Sequence, residues 1–423
     1  MTTPLKRARR RTRTGLALGL ATVLVVAAAC GDDDDDGASS NTTAAAPGSS
    51  GAPATTAAPP ATTAAGGGAT TAAGGEPTGS TAAPSGDVAA LYEAAQAEGQ
   101  VNLIALPDSW ANYKGILQSF RDKYPGVDNP VANPDASSAD ELTAVQTLAG
   151  QPDMPDALDV GPSFALQAAD EGLWDPFQPS TWDEVPEALR DADGNWVAAY
   201  YGIMAIGTNT TLIENPPQTF ADLKDPQYEG QVALNGDPRE AGAAFAAVMA
   251  AALANGGSFD DIMPGIEYFA ELKSSGNLSD VQVTEASVLA GETPIVLDWT
   301  YNFPGLQSQI EEAGFEVEVV VPSDGVYGSY YSQGVVKDGP HPNAARLWIE
   351  HILSDEGALG YLEGGAIPAR YAAMVDSGVI TDDMLANLPP AELIEQIEFP
   401  TLDQIAAAQE ALATNWGPMV ADA

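Results

Sequence analysis

From residue 88 onward, hydrophobic positions follow two patterns. Apolar residues three and four positions apart, such as Leu91, Tyr92 and Ala95, predict amphipathic helices, the first over 88–97. Short apolar runs predict buried strands. These predicted strands are 101–106, 157–160, 197–208, 231–234, 294–298, 315–321 and 331–337. The alternation of short strands with amphipathic helices indicates an α/β protein, and we expect a mostly parallel sheet.

Turn signals and chain length predict how these elements are organised. Asp237 followed by Pro238 is a favourable N-cap arrangement, so we expect a helix to begin there. Residues 87–423 exceed what one core usually supports, which favours two lobes. The chain leaves one region near residue 200 and returns near 325, so two crossovers would form a hinge beside a cleft. The expected lobes are lobe 1, about 87–200 and 330–423, and lobe 2, about 205–325.

The first residues have the layout of a bacterial lipoprotein signal over 1–29. Six basic residues precede an apolar stretch from Gly15 to Val26, which runs into Ala27-Ala28-Ala29-Cys30. Cleavage before Cys30 and lipid transfer to its thiol would anchor the chain in the cell membrane, facing outside the cytoplasm. The apolar stretch is shorter than the roughly 20 residues that span a bilayer. Plain secretion and a retained helix are the alternatives.

The region from Cys30 to residue 86 differs in composition from the rest. Five consecutive aspartates at Asp32–Asp36 precede a tract of Ala, Thr, Gly, Pro and Ser that contains no aromatic residue. Such a tract cannot bury enough apolar surface to offset the entropy of ordering. We therefore predict a disordered tether.

Charge and motif content exclude several function classes. All 59 acidic residues but only 10 of the 16 basic ones follow Cys30, giving 10 − 59 = −49 after cleavage, so we expect no nucleic-acid partner. A single cysteine excludes disulfides and Cys-based metal sites. The chain has no G-x-S-x-G and no H-E-x-x-H motif. We expect no catalytic residues, cofactor or metal; an enzyme and a surface adhesion protein rank below a binding protein.

Position alone nominates four ligand-binding residues. Ligands of open α/β sheets bind beyond the carboxyl ends of the strands. Ser109 and Trp110 follow the first predicted strand, and Ser163 and Phe164 follow the second. We expect all four to lie in loops at the cleft.

Three segments carry a family resemblance. Residues 215–230 read P-P-x-T-[FW]-x-D-L-x-D-P-x-Y-x-G, and residues 334–346 and 347–357 form a second and third segment. Together they resemble the family 1 extracellular solute-binding proteins of ABC importers, which include binders of polyamines, ferric iron, thiamine and phosphonates. The resemblance runs from about Leu91 to Pro368. It implies a type II periplasmic-binding-protein fold that closes on a small solute and is presented, as a monomer, to a membrane permease.

The resemblance also nominates charged ligand contacts. Asp237 and Glu240, in Asp-Pro-Arg-Glu, are similar to the two carboxylates that engage ammonium groups in polyamine-binding members. The same two residues could instead form a helix-capping box without any ligand. Both interpretations stay open on the sequence.

Aromatic candidates follow from the same comparison. Asp298-Trp299-Thr300-Tyr301 ends a predicted strand, where Trp299 would stack on a ligand and Asp298 would supply charge; an aromatic core position is the alternative. Tyr327 and Tyr330 lie near the second crossover. The pair Tyr330-Tyr331 is similar to the tyrosine pair of iron binders, although adjacent strand residues point to opposite faces. An acidic, aromatic cleft with few arginines favours an organic cation over an anion such as phosphonate.

Overall fold

The computed structural model describes residues 88–394 and 396–422. The predicted signal sequence, Cys30 and the tether lie outside the described residues and stay predictions. Within the described ranges, no helix is both long enough and apolar enough to cross a bilayer.

Helices and strands alternate along most of the described chain. The strands are β1 Leu103–Ile104, β2 Val131–Ala132, β3 Ala157–Val160, β4 Val197–Asn209, β5 Val232–Leu234, β6 Ile295–Trp299, β7 Val317–Val320, β8 Gly328–Val335 and β9 Ile367–Pro368. The α-helices are α1 Val88–Glu98, α2 Tyr113–Lys123, α3 Ser138–Thr147, α4 Pro162–Asp170, α5 Gly242–Ala254, α6 Met263–Ser275, α7 Glu285–Leu289, α8 Asn302–Glu312, α9 Pro342–Ile352, α10 Asp355–Glu363, α11 Tyr371–Asp376, α12 Ala391–Ile394 and α13 Leu402–Trp416. Short 3-10 helices lie at Trp110–Asn112, Trp182–Glu184, Glu187–Leu189, Asp222–Lys224, Pro226–Tyr228 and Asp382–Asn387, and a π-helical turn lies at Gly417–Ala421.

Strand β4 is the central strand of the sheet. All 13 of its residues are buried, which accounts for its nearly continuous apolar sequence. Its first half pairs with β8 and β9, and its second half pairs with β6 and β7. The order across the sheet is β3-β8-β4-β6-β5. One long strand therefore belongs to two half-sheets.

The helices group around these two half-sheets. Helices α1, α2, α9 and α10 pack together beside the β3–β8 half, whereas α5 and α6 pack against each other beside the β5–β6 half. The chain passes between the halves along β4 and again between β7 and β8. Helix α13 contacts both α4 and α6 and so touches both groups. This arrangement is two lobes joined by two crossovers; the exact lobe bounds stay a prediction.

The structure corrects the expected sheet direction. Among the strands that the structure describes, β1–β2 and β5–β6 are parallel pairs, whereas β3 runs antiparallel to β8 and β4 runs antiparallel to β6, β7, β8 and β9. The reason is topological. Strand β4 continues directly from one half-sheet into the other, and β8 follows β7 without an intervening helix, so neither crossover is the strand–helix–strand connection that makes neighbouring strands parallel.

The structure also corrects two local predictions. Helix α5 begins at Gly242, not near Asp237, because Asp237 caps a tight turn instead: its carbonyl accepts the N–H groups of Glu240 and Ala241. Ser163 and Phe164 lie in the first turn of α4, which starts at Pro162 directly after β3. The proline is favourable at the first helical position, so no loop separates strand from helix.

Candidate functional site

A cavity of about 250 Å³ lies between the two lobes. Its first wall contains the loop after β1, the start of α3 and the middle of β3. Its second wall contains the start of α5, the segment around α7, the end of β6 and the start of α8. The polar and aromatic lining residues are Ser109, Trp110, Asp135, Ser137, Ser138, Glu141, Asp159, Asn235, Gln282, Thr284, Glu285, Asp298, Asn302, Phe303 and Tyr331.

Acidic side chains dominate the charge of this cavity. Glu141, Asp159 and Asp298 are nearly inaccessible to solvent, with exposures of 1%, 5% and 5%. Asp135 and Glu285 are exposed at its rim. None of the described lining residues is a lysine, arginine or histidine. The three buried carboxylates therefore have no basic partner in the cavity wall.

Asp159 is held by neutral hydrogen-bond donors. Its Oδ2 accepts the hydroxyls of Tyr113 at 2.6 Å and Tyr200 at 3.0 Å, and its Oδ1 accepts Gln333 Nε2. Burial raises the pKa of Asp159 to about 7, and the three donors only partly oppose that shift. Near neutral pH this carboxyl group is thus poised between its protonated and ionised forms.

Asp298 is held in the same manner from the second lobe. Its Oδ1 accepts the Trp299 backbone N–H at 2.8 Å and Asn302 Nδ2 at 2.9 Å, and its Oδ2 accepts Asn235 Nδ2 at 2.9 Å. Burial raises its pKa to about 6, against the effect of these donors. The position at the end of β6 allows both asparagines to reach it.

Glu141 adds a third buried carboxylate beside Asp159. It lies in the first turns of α3, and its Oε2 accepts the backbone N–H of Asp159 at 3.0 Å. Burial raises its pKa well above the ordinary value, and the nearby charge of Asp159 raises it further. Two adjacent carboxylates in one lobe thus face a third in the other.

Aromatic rings form the floor between these carboxylates. The Tyr331 ring lies 5.4 Å from Trp110, edge to face, and 6.0 Å from Tyr200, stacked. Trp299 Nε1 approaches the Tyr331 hydroxyl at 3.4 Å, and the Trp299 ring stacks on Tyr301. Rings of this kind attract cations through their faces.

Glycine contacts close the cavity on two sides. A Cβ atom on Gly305 of α8 would overlap the backbone oxygen of Ser109, so only glycine allows this approach of the second lobe to the first. On the other side, a Cβ on Gly161 would lie 3.3 Å from the Cα of Gly242. The Ala139 N–H also donates to the Glu240 carbonyl at 3.4 Å. We call these two contacts the glycine seams.

Three of the residues nominated from the sequence line the cavity: Ser109, Trp110 and Asp298. Trp299 and Tyr301 lie behind this lining with exposures of 1% each, where Trp299 touches the cavity residue Tyr331. Both aromatic residues are therefore core residues. Trp299 contacts the lining residue Tyr331 directly, and Tyr301 stacks on Trp299.

The other nominated residues lie outside the lining. Asp237 forms an ion pair with its neighbour Arg239, Nη2 to Oδ2 at 2.6 Å, and Glu240 is exposed without forming a capping box. Tyr327 packs on Phe259. The remaining three are Ser163 and Phe164, in the first turn of α4, and Tyr330, which stacks on Trp196.

Sequence reasoning missed Glu141, Asp159, Asn235 and Asn302, and it noted Tyr331 beside Tyr330 without selecting it as a ligand contact. Asp159 carried a usable signal, because it is the one charged residue in the apolar strand 157–160, and buried strands rarely contain an unpaired aspartate. Tyr330 and Tyr331 are adjacent in a strand, so their side chains point to opposite faces of the sheet and only one of them can line the cavity. Glu141 and the asparagines carried no comparable local signal.

A family model described as bacterial extracellular solute-binding protein matches residues 153–393. The match covers more than half of the chain. The protein belongs to this family. Members of the family bind solutes outside the cytoplasm, which agrees with the expected location and with a binding protein rather than an enzyme.

One curated relative is an uncharacterised protein of Haemophilus influenzae. It is 27% identical to this chain over 218 residues, which are 48% of this chain and 59% of the relative. The chain thus spans about three fifths of the length of that relative.

Solved structures show the fold. The periplasmic binding protein AfuA of Actinobacillus pleuropneumoniae, with fructose-6-phosphate bound, has a TM-score of 0.56 at 19% identity, over 75% of this chain and 99% of AfuA. Iron-bound HitA of Pseudomonas aeruginosa has a TM-score of 0.56 at 20% identity, over 74% of this chain and 97% of HitA. The spermidine/putrescine protein PotD of Streptococcus pneumoniae has a TM-score of 0.53 at 13% identity, over 76% of this chain and 99% of PotD. The predicted two-lobed periplasmic-binding-protein fold is confirmed.

Proposed function

We propose that this protein is the substrate-binding component of an ABC importer, which captures a small organic cation such as a polyamine outside the cell and delivers it to a membrane permease. One observation carries the choice of ligand. Three buried carboxylates, Glu141, Asp159 and Asp298, line the interlobe cavity without a basic residue among the described lining residues.

The physical argument concerns charge compensation. An ionised carboxylate removed from water is costly unless an opposite charge or several donors offset the loss of hydration. Here neutral donors hold Asp159 and Asp298, and burial still raises both pKa values. A cation bound between the lobes supplies the missing positive charge. Closure strengthens the attraction because it excludes water and lowers the local dielectric constant.

The fold leaves the ligand class open, since AfuA is bound to fructose-6-phosphate, HitA is bound to iron, and PotD is a spermidine/putrescine substrate-binding protein. Ferric iron fits this cavity poorly. Tyr331 is the single tyrosine among the described lining residues, and burial raises its pKa, which opposes a phenolate ligand. In residues 88–394 and 396–422, no three His, Cys, Asp or Glu side chains are arranged to hold a metal ion.

An anion such as a phosphonate is the main competing ligand. Helix α5 begins at the cavity and its N-cap residue Ala241 offers no side-chain cap, so backbone N–H groups face this region. A helix N-terminus contributes roughly half a positive charge. Up to three carboxylate charges in the same cavity outweigh it, which supports the cation.

Calorimetry on the protein tests the proposal. Titration with putrescine, spermidine, thiamine, ferric iron and aminoethylphosphonate should give binding with an organic cation, a rise in melting temperature and no turnover. Binding of aminoethylphosphonate or ferric iron alone would contradict the cation assignment and leave the fold assignment intact.

The delivery part of the proposal rests on the sequence. Lipid on Cys30 and the tether over 31–86 would hold a monomeric binding domain near its permease. Metabolic labelling with a radioactive fatty acid should mark the wild-type protein. A Cys30→Ser variant should stay unlabelled and appear in the medium.

A further inference from the structure

Four side chains around the cavity donate hydrogen bonds to its buried aspartates. Asn302 Nδ2 and Asn235 Nδ2 both donate to Asp298, and the hydroxyls of Tyr113 and Tyr200 both donate to Asp159. Each tyrosine hydroxyl has a single hydrogen and would have to leave Asp159 to serve a ligand, whereas each asparagine amide keeps a second N–H. These side-chain donors thus serve the buried carboxylates first.

The acceptors are incompletely used. Each carboxylate oxygen can accept about two hydrogen bonds. Asp298 Oδ2 accepts one, from Asn235, and Asp159 Oδ1 accepts one, from Gln333. Glu141 accepts one bond at Oε2, and its Oε1 receives none from the described part of the chain. A ligand that brings donors would complete these groups.

Asn302 is the clearest incomplete acceptor. It lines the cavity at 8% exposure, and its Nδ2 is committed to Asp298. Its Oδ1 is fully buried and has no partner, a combination that no other polar side-chain atom of the described lining residues shows. A buried amide oxygen without a donor is unfavourable, so such groups commonly mark a place where a ligand or water binds.

We propose that the bound cation presents N–H donors, as a primary or secondary ammonium or a guanidinium does, and that Asn302 Oδ1 accepts one of them. The proposal deepens the cation assignment above and rests on it. A quaternary ammonium ion carries the same charge but no N–H, so it would leave Asn302 Oδ1 and the carboxylate oxygens without donors. The aromatic residues Trp110, Phe303 and Tyr331 would attract either kind of cation and do not discriminate between them.

Matched ligands separate the two kinds of cation. The probes are putrescine and its bis-trimethylammonium analogue with the same four-carbon spacer, measured by calorimetry against the full chain. We expect putrescine to bind at least 100-fold more tightly. Equal affinity of the quaternary analogue would overturn this inference and leave the cation function standing. Binding of neither probe would count against both.

Two variants test the role of Asn302. Asn302→Leu and Asn235→Leu each remove one N–H donor to Asp298, but only Asn302→Leu removes the unpartnered oxygen. We expect Asn302→Leu to reduce the ratio of the two affinities about tenfold, and Asn235→Leu to reduce it less. Equal effects would show that Asn302 only holds Asp298, and would overturn its assigned role. Asn302→Gln keeps both an amide oxygen and an N–H donor and should retain the preference, which covers the case in which the leucine variant does not fold.

Discussion

Asp156 and Asp159 lie three residues apart at β3, and the protein uses them in opposite ways. Asp156 has 0% exposure and accepts the Asn102 N–H at 2.7 Å, the His341 N–H at 2.7 Å and His341 Nδ1 at 2.8 Å. It thereby ties β3 to the start of α9. Asp159 is almost equally buried, but its partners are neutral and it lines the interlobe cavity.

The difference lies in the partner, since burial is similar. Elsewhere in the first lobe, several acidic residues meet basic ones: Arg346 pairs with Asp175, and Arg370 pairs with Glu184 and Asp355. The described lining residues of the cavity include no basic residue that could form such a pair. Asp156 is a structural group because its donors join two elements of the first lobe, whereas Asp159 lines a cavity that a bound cation can enter.

The largest expected effect on cation affinity comes from replacing Asp159, with the same replacement at Asp156 as the comparison. Asp159→Asn should lower cation affinity about 100-fold, or about 3 kcal/mol, because it removes a desolvated charge from the site. Asp156→Asn should lower the melting temperature by several degrees and leave affinity nearly unchanged, because its partner is His341. Calorimetry and thermal melting measure both. Equal losses of affinity in the two variants would contradict the assignment of Asp159 to ligand binding and of Asp156 to structure.

Acidification should weaken binding by a smaller factor. A cation favours the ionised form of Asp159, whose pKa in the ligand-free protein is about 7. Protons then compete with the ligand below that value, and affinity should fall about 30-fold between pH 8 and pH 5.5. The Asp159→Asn variant should show a flatter pH profile. A wild-type affinity that rises on acidification would contradict a cationic ligand.

Disrupting one of the glycine seams should lower cation affinity about tenfold. Gly305→Ala places a Cβ against the Ser109 backbone oxygen and should hold the lobes apart, so affinity falls about tenfold through faster dissociation. The melting temperature of the free protein should not fall, since alanine favours a helix more than glycine does. Ser308→Ala, on the same helix, is the matched control. Stopped-flow dissociation rates that are unchanged in Gly305→Ala would remove this seam from the closure mechanism.

The smallest effect concerns the ligand-free protein. Because burial raises the pKa of Asp159 above its ordinary value, the folded state binds more protons than the unfolded state between about pH 4 and pH 7. The stabilising contribution of the protonated group is present at low pH and is lost as pH rises through about 7. Asp159→Asn should therefore gain a few degrees in melting temperature relative to wild type at pH 8, and less at pH 5. A difference that does not change with pH would argue that Asp159 is not buried in the free protein.

Local patterns determined much of the fold. The strand 157–160 coincides with β3, and the predictions 88–97 and 197–208 match α1 and β4 within a residue. Alternation and helical periodicity depend on neighbours in sequence, so they are readable without tertiary structure. The motif at 215–230, together with the segments at 334–346 and 347–357, likewise carried the family resemblance, because such motifs are read from neighbouring positions in the sequence.

The cavity chemistry was decided by contacts that form on folding, most of them between distant segments. Asp159 looked like an ordinary strand residue, but the hydroxyls of Tyr113 and Tyr200 hold it at the cavity. Asp237 looked like a ligand carboxylate, but it pairs with Arg239, only two residues away. Packing after folding determines whether a carboxylate pairs with a basic residue of the protein. The sequence by itself determined an acidic, two-lobed solute-binding protein. Only the tertiary structure decided which acids meet between the lobes, because burial and partner choice are properties of the assembled core.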